Sequence, residues 1–189
     1  LYVAQSRAEQ VEAALDVGFD AALATLAAAL LAHLWLRARA VHELAPVQTA
    51  FRAVYDARAL YLGVRCEEPL WQKMTAGTPA MRDMHGAVFG AEAVEIFVDP
   101  AHDHANYYQI AANSDGSVFD GKGTDSNWNG QARAAGAIIE GAWCLEIALP
   151  WEDFGVKPQP GKVIGLNVCR DRNIAPNKSW TTWSQIDSN

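Results

Sequence analysis

The sequence lacks the features that would point to nucleic acid or to an anionic membrane as a partner. Its 189 residues carry 15 Lys and Arg against 22 Asp and Glu, a formal net charge of −7, and no run rich in lysine or arginine. A basic patch is the usual electrostatic requirement for both kinds of partner, so we expect neither. A neutral or cationic ligand suits this charge balance better.

Catalytic motifs and cysteine pairs are also missing. The chain contains no G-x-S-x-G, no H-E-x-x-H and no phosphate loop. Cys66, Cys144 and Cys169 are far apart, and their odd number excludes a pure disulfide scaffold. We expect buried free thiols, with one disulfide as the alternative. Glu95 with Asp99, or Glu67 with Glu68, could be nominated as a glycosidase pair, but neighbouring acids are common in an acidic protein. We therefore expect no catalysis by this chain.

The longest uncharged run lies in an alanine-rich segment that we assign to residues 1–45. Ala21–Leu36 carries no formal charge and favours helix by propensity. This run is shorter than the about 20 apolar residues that a transmembrane helix needs. We expect a helical segment packed on the following domain, or a divergent start of that domain, and no membrane insertion.

From residue 46 to residue 189 the hydrophobic pattern alternates, which predicts strands. A helical turn is predicted at Pro150–Phe154. The predicted strands are Val47–Tyr55, Leu60–Glu67, Ala93–Val98, Tyr107–Asn113, a short strand after the Ser114–Gly116 turn, Gln131–Ile139, Ala142–Leu149, Val163–Arg170 and Ser179–Ser184. At least seven short strands separated by turn signals predict a mainly β protein, an antiparallel β-sandwich.

The stretch Glu92–Asp120 is the most informative part of the chain. In its first strand, alternation separates an apolar face from a face that carries Glu95. In its second strand, Gln109 and Asn113 share one face. These three side chains can therefore lie together on a polar sheet face flanked by aromatics, which is the candidate functional surface.

These runs, in this order, resemble the family 9 carbohydrate-binding modules and their relatives with a DOMON-like β-sandwich. The matching pieces are TAFRAVYDARALYLGVRCEEP, AEAVEIFVDP, YYQIAANSDGSVFD, GAWCLEIALPWEDFGVKPQPGKVIGLNVCRDR and SWTTWS, which together cover roughly residues 47–184. The order and spacing of the five blocks make the match specific, whereas residues 1–45 match poorly. The resemblance implies a jelly-roll or immunoglobulin-like sandwich that binds sugars without catalysis. In the best-studied branch it binds the reducing ends of glucan or xylan chains.

The resemblance also implies roles for particular residues. In that branch the sugar lies between two tryptophans, and Glu, Gln, Arg and Asn side chains bond its hydroxyls. Glu95 occupies the family's Glu position, and Gln109 and Asn113 match polar positions of the next strand. In three departures, Phe89 stands where Trp is expected, Ala111 stands where Arg is expected, and the chain ends before the second Trp. We therefore expect the domain to be truncated at its C-terminal end.

Sugar binding requires flat aromatics for the C–H faces and planar carboxylates or amides for the hydroxyls. We expect Trp128 to be exposed on the loop of residues 120–130, and Trp143 and Trp151 to lie in the core. The alternative is that the aromatics belong to the core and that Glu95 merely tolerates an exposed face. The candidate sugar-binding residues are Phe89, Glu95, Gln109, Asn113, Trp128, Trp180 and Trp183.

The turn Asp99–His104 offers oxygen and imidazole groups to a metal ion. Calcium prefers several oxygen ligands, and zinc would need more ligands than the two histidines of this turn. We expect a solvated loop and no required cofactor. Structural calcium occurs in relatives of the resembled family, so Asp99, Asp103 and Asp125 are candidate ligands.

Three hypotheses for function remain open at this point. The first is a module that binds oligo- or polysaccharide within a larger extracellular or periplasmic glycan-degrading protein, covalently linked to its catalytic domains. The second is a structural or protein-interaction sandwich that has lost the sugar site. The third is a haem-binding DOMON-like domain, with an axial ligand from the irregular connection of residues 69–90. That connection holds Met74, Met81, Met84 and His85.

Overall fold

The computed structural model describes residues 45–74, 88–176 and 178–184, and these residues form two antiparallel sheets. The strands are β1 (Thr49–Tyr55), β2 (Ala59–Glu67), β3 (Ala93–Asp99), β4 (Tyr108–Asn113), β5 (Val118–Lys122), β6 (Arg133–Ile139), β7 (Ala142–Pro150), β8 (Gly165–Arg172) and β9 (Ser179–Thr182). One sheet has the order β1-β2-β7-β6 and the other β5-β4-β3-β8-β9. The predicted antiparallel β-sandwich is confirmed. The predicted N-terminal helix lies outside the described residues.

The core between the sheets is built by strict alternation. Leu62 and Val64 of β2 meet Ile96 and Val98 of β3 in one buried cluster, which also contains the whole inward face of β7. Trp143 is fully buried there, as predicted. Trp151 is also buried, as predicted, within the short 3-10 helix Trp151–Phe154.

Two hairpins fix the register of the four-stranded sheet. The β1–β2 turn is closed by Asp56, whose Oδ1 accepts hydrogen bonds from the backbone N–H of Arg58 at 2.7 Å and Ala59 at 2.9 Å. The indole Nε1 of Trp151 donates to the carbonyl of Asp56 at 3.0 Å and ties this turn to the end of β7. The β6–β7 turn has Gly141 at φ 73°, a backbone conformation that favours glycine.

One predicted strand is displaced along the chain. The strand expected at Val163–Arg170 runs from Gly165 to Arg172. Val163 is exposed and follows the turn at Gly161, so the apolar pair Val163–Ile164 that suggested an earlier start lies before the ladder begins. The two-residue shift brings Asp171 and Arg172 into the sheet.

Charged side chains close one end of the sandwich. Glu68 is fully buried and accepts hydrogen bonds from Arg172 Nε and Nη2, both at 2.7 Å, and from Arg170 Nη2 at 3.1 Å. Arg170 also contacts Glu92 at 3.2 Å. Burial raises the pKa of Glu68, but the hydrogen bonds from Arg172 and from the Leu70 N–H outweigh it and lower the pKa overall. This network, called here the buried ion cluster, neutralises charges that burial would otherwise disfavour.

The three cysteines are free thiols, and Cys66 is buried, which confirms the expectation for that residue. Burial raises the pKa of the Cys66 thiol to about 12. Within the described ranges, no helix is long and apolar enough to cross a membrane.

Candidate functional site

The outward surface of the five-stranded sheet, called here the outer face, carries most of the predicted polar residues. Cross-strand register places Glu95 opposite Cys169 and Ala111, and Gln109 opposite Phe97 and Gly121. Residues paired across antiparallel strands share a face. The three polar side chains predicted to share this face, Glu95, Gln109 and Asn113, therefore do so.

Glu95 and Gln109 form a direct pair on the outer face. Nε2 of Gln109 donates a 2.5 Å hydrogen bond to Oε2 of Glu95, and both side chains are partly exposed. The bond leaves the amide oxygen of Gln109 and the other carboxylate oxygen of Glu95 available as acceptors. The pair therefore presents fixed planar acceptors to a ligand.

Asp171 of β8 joins this pair, although the sequence analysis did not single it out. It lies opposite Ala93 and Trp180 and is only 5 % exposed, and its carboxyl group is close enough to that of Glu95 for the two to interact electrostatically. Burial, reinforced by the neighbouring Glu95 carboxylate, raises the pKa of Asp171 to about 7. The signal was present in the run NVCRDR, whose alternation groups Asp171 with Asn167 and Cys169.

Aromatic side chains flank the polar group on two sides. Trp180 of edge strand β9 is 72 % exposed and is the cross-strand partner of Asp171. On the other side, the rings of Phe97 and Tyr107 lie 5.9 Å apart between centroids, with Phe97 directly opposite Gln109. The outer face thus combines hydrogen-bonding groups with exposed ring surface.

Phe89 lies in a small apolar cluster on the same side of the sheet. Its ring packs edge-on against Phe119 at 5.2 Å, together with Ala93 and Ala111, which are fully buried. The side chain is partly buried and borders the outer face, where it adds apolar surface near Glu95. Because Phe119 occupies the position opposite Ala111, this corner of the face is apolar.

Asn113 shares the outer face but not its exposed surface. It is 1 % exposed, and its Oδ1 accepts hydrogen bonds from the N–H groups of Asp115 at 3.1 Å and Ser117 at 2.9 Å. These bonds fix the turn between β4 and β5. The structure therefore places Asn113 as a support for the site.

Two predicted aromatics lie away from the outer face. Trp128 was expected to be exposed, but it packs on the core, with its ring 4.9 Å from that of the inward-facing Tyr108. A hydrogen bond from the Gly130 N–H to Asp120 Oδ2 at 3.1 Å connects this loop to β5. Trp183 is half exposed and packs edge-on against Phe51 of the other sheet at 5.2 Å.

The candidate metal ligands are engaged in local turns. Asp103 Oδ1 accepts hydrogen bonds from the N–H groups of Ala105 and Asn106, and bonds to the Asn106 side chain and backbone lower its pKa to about 2. Asp99 accepts from the His104 N–H at 2.7 Å, and Asp125 from the Asn127 N–H at 2.9 Å. In the part of the chain that the structure describes, no three His, Cys, Asp or Glu side chains converge on a metal position.

A groove and the candidate haem ligand Met74 lie away from the outer face. A groove of about 810 Å³ is lined by residues of the four-stranded sheet and its turns, among them Arg58, Arg133, Trp151 and Lys157, and shares no residue with the outer face. Met74, one of the residues considered as a haem ligand, packs against the core. The other three considered for that role lie outside the described residues.

The model of the family described as carbohydrate family 9 binding domain-like matches residues 15–189. The chain belongs to this family. The resemblance inferred from the five sequence blocks is confirmed. A comparison of this family 9 domain with curated proteins found no significant match.

Solved structures share the fold of this family 9 domain at low identity. A Bacteroides uniformis protein proposed to bind carbohydrate is 19% identical, with a TM-score of 0.59, over 74% of this chain and 70% of that one. Two structures of a family 9 module from Caldicellulosiruptor kristjanssonii, in complex with glucose and with cellotriose, are each 15% identical. Their TM-scores are 0.50 and 0.52, over 71% and 75% of this chain and 64% and 67% of those chains. These likenesses establish the shared sandwich.

Proposed function

We propose that this chain binds carbohydrate, without catalysing a reaction, on the outer face of its five-stranded sheet. The observation that carries the proposal is the hydrogen-bonded Glu95–Gln109 pair beside Asp171, with Trp180 on one side and Phe97 on the other. Family membership supports it, because the matching family is described as a carbohydrate-binding domain. The glucose and cellotriose complexes of relatives with the same fold support it as well.

The chemistry of a sugar fits this arrangement. A pyranose presents hydroxyls around its edge and C–H groups on its faces. The free acceptor atoms of Glu95 and Gln109 can receive hydrogen bonds from two neighbouring hydroxyls, because both groups are planar and held by their mutual bond. The exposed indole of Trp180 offers a flat apolar surface to a C–H face.

The biological role follows from binding alone. We infer that the domain is a module of a larger secreted protein, where it keeps a covalently linked glycan-degrading domain close to its polymer. Tethering raises the effective concentration of substrate without a new catalytic group. A neutral or cationic glycan agrees with the net charge of −7 and with the absence of basic runs in the sequence.

Calorimetric titration of the chain with glucose, cellobiose, xylobiose and the reduced alditol cellobiitol tests the proposal. We expect binding of the sugars, and Glu95→Ala should weaken it at least about tenfold, since a hydrogen bond to a charged group contributes roughly 1.5–3 kcal/mol. Glu140→Ala is the matched control, because Glu140 is an exposed acid in the β6–β7 turn.

The outcomes separate the hypotheses. Binding of cellobiose but not of cellobiitol would establish recognition of the reducing end. A folded chain that gives no heat with any of these ligands would contradict the proposal and favour a sandwich that has lost its sugar site. Affinity that is unchanged in Glu95→Ala would move the site away from the outer face.

A further inference from the structure

The outer face is acidic and carries no strand residue of positive charge. Of the residues that β3, β4, β5, β8 and β9 direct to it, three are carboxylic acids, Asp99, Glu95 and Asp171, and none is lysine or arginine. The strand cations lie on the inward side: Arg170 and Arg172 flank Asp171 and alternate with it, and Lys122 pairs with Tyr108, 5.3 Å from the centre of its ring. Within the described strands, no cation compensates the acids on this face.

Among the described residues, Asp171 is the acid most affected by the lack of a strand cation on the outer face. Its carboxyl group is more than nine-tenths buried and directed to the outer face, but no N–H group of the described residues donates to it. Its neighbour is the carboxyl of Glu95, which has the same charge when ionised. A buried carboxylate normally has hydrogen-bond donors or a cationic partner. The buried arginines of the same strand satisfy Glu68 and Glu92 instead.

We propose that the ligand of this site carries an ammonium group, as in an oligosaccharide of glucosamine, and that this group binds between Glu95, Asp171 and Trp180. The inference rests on the proposed function, because it names the class of sugar that binds the same face. It makes Asp171 a determinant of specificity in addition to the Glu95–Gln109 pair.

The geometry suits an ammonium group better than a hydroxyl. An ammonium has three N–H donors and no acceptor, so it can donate to two carboxylates at once, whereas a neutral hydroxyl brings one proton. Trp180, the cross-strand partner of Asp171, adds an exposed indole face, and aromatic faces attract cations. The pKa of Asp171 is raised first by burial and then by the neighbouring Glu95 carboxylate, a repulsion that a bound cation would reduce.

The test compares three β-1,4-linked trimers of equal length by calorimetry near neutral pH in low salt. They are cellotriose, the glucosamine trimer and the N-acetylglucosamine trimer, which differ only at carbon 2 of each ring. We expect the glucosamine trimer to bind roughly tenfold more tightly than cellotriose, and the acetylated trimer, which lacks the charge, to show no such gain. The preference should decrease with added salt.

Variants that lack one negative charge show which residues cause the preference for the glucosamine trimer. Asp171→Asn and Glu95→Gln keep the size of each side chain, and each should reduce the preference for the glucosamine trimer to near one. Glu140→Gln makes the same change in net charge away from the outer face and should keep the preference. It therefore controls for a general attraction of a cation to a protein of net charge −7.

The failures are distinguishable. If cellotriose binds as tightly as the glucosamine trimer, this inference is wrong and carbohydrate binding stands. If the preference survives in both Asp171→Asn and Glu95→Gln, the inference is also wrong, because the charge then acts from elsewhere. If none of the trimers binds, the proposed function fails and the inference with it.

Discussion

At the scale of single residues, Glu68 holds together the buried ion cluster. It is fully buried, and its two oxygens accept from both Arg170 and Arg172, while the Leu70 N–H adds a bond at 3.0 Å. Removing one charge from a buried cluster leaves the opposite charges without compensation, and this typically costs about 3–5 kcal/mol. The cluster connects β8 to the segment after β2, so its loss affects both sheets.

We predict that Glu68→Gln lowers the free energy of unfolding by roughly 3 kcal/mol, because it removes the buried carboxylate that Arg172 Nε contacts at 2.7 Å. Urea denaturation, read as a shift of the midpoint at constant slope, measures this change. Glu67→Gln is the control: Glu67 is the exposed residue that precedes Glu68 at the end of β2, and its substitution should cost no more than about 0.5 kcal/mol. Equal midpoints for the two variants would show that the buried ion cluster makes no measurable contribution to the free energy of unfolding.

Sequence patterns could predict some of these residues and not others. Alternation placed Glu95 and Gln109 on one face, because each lies within an apolar strand whose period is clear. It gave no sign that Arg170 and Arg172 point inward, since charged residues in a strand are normally assigned to solvent. Their partner Glu68 precedes Arg170 by 102 positions, and such a pairing depends on how the two sheets pack.

At the scale of elements, Gly136 of β6 lies against the backbone of the turn after β4. A Cβ atom added to Gly136 of β6 would collide with the carbonyl oxygen of Ser114 and would lie 2.6 Å from its carbonyl carbon. Both atoms are backbone, so the turn would have to move. Gly63, inside β2 of the same sheet, has no atom within 4 Å of such a Cβ.

We predict opposite effects for the same substitution at these two glycines. Gly136→Ala should lower the free energy of unfolding by about 1–3 kcal/mol, because it overpacks the contact between β6 and the turn. Gly63→Ala should leave stability unchanged or raise it by up to about 1 kcal/mol, since alanine loses less conformational entropy in a strand. Thermal unfolding of both variants provides the comparison. A Gly136→Ala variant as stable as the parent would contradict the close approach.

The elements themselves were largely predictable, and the exceptions have local causes. Hairpins such as Asp56–Arg58 and Glu140–Gly141 carry strong turn signals, so their strands were assigned nearly to the residue. The strand β8 was placed two residues early because Val163 and Ile164 extend its apolar pattern into the preceding turn. Trp128 was wrongly assigned to solvent, because a loop rich in Gly, Asn and Asp gives no sign that it folds back onto Tyr108.

At the scale of the whole molecule, Glu68 and Asp171 change the stability of the fold in opposite directions as pH changes. Glu68 has a lowered pKa, through its bonds to Arg172 despite burial, so it contributes stability that is lost as pH falls below its usual range. Asp171 has a pKa raised to about 7 from 3.8 by burial and by Glu95. Between those two values the folded state keeps a proton that the unfolded state has released, so stability falls as pH rises through the window.

We therefore predict that the chain is most stable at mildly acidic pH and loses on the order of 2 kcal/mol as pH rises toward neutrality. One pKa unit corresponds to about 1.4 kcal/mol. The expected loss is smaller than the full rise in the pKa of Asp171 would give, because solvent screens the repulsion from the partly exposed Glu95. Asp171→Asn cannot ionise and should flatten this decline, so that the variant is more stable than the parent above pH 7. Urea midpoints measured across the pH range give both curves, and Glu140→Gln, which removes an exposed acid, should follow the parent. Parallel curves for Asp171→Asn and the parent would mean that Asp171 ionises normally in the folded state, and the acidic outer face would then be solvated more fully than its burial indicates.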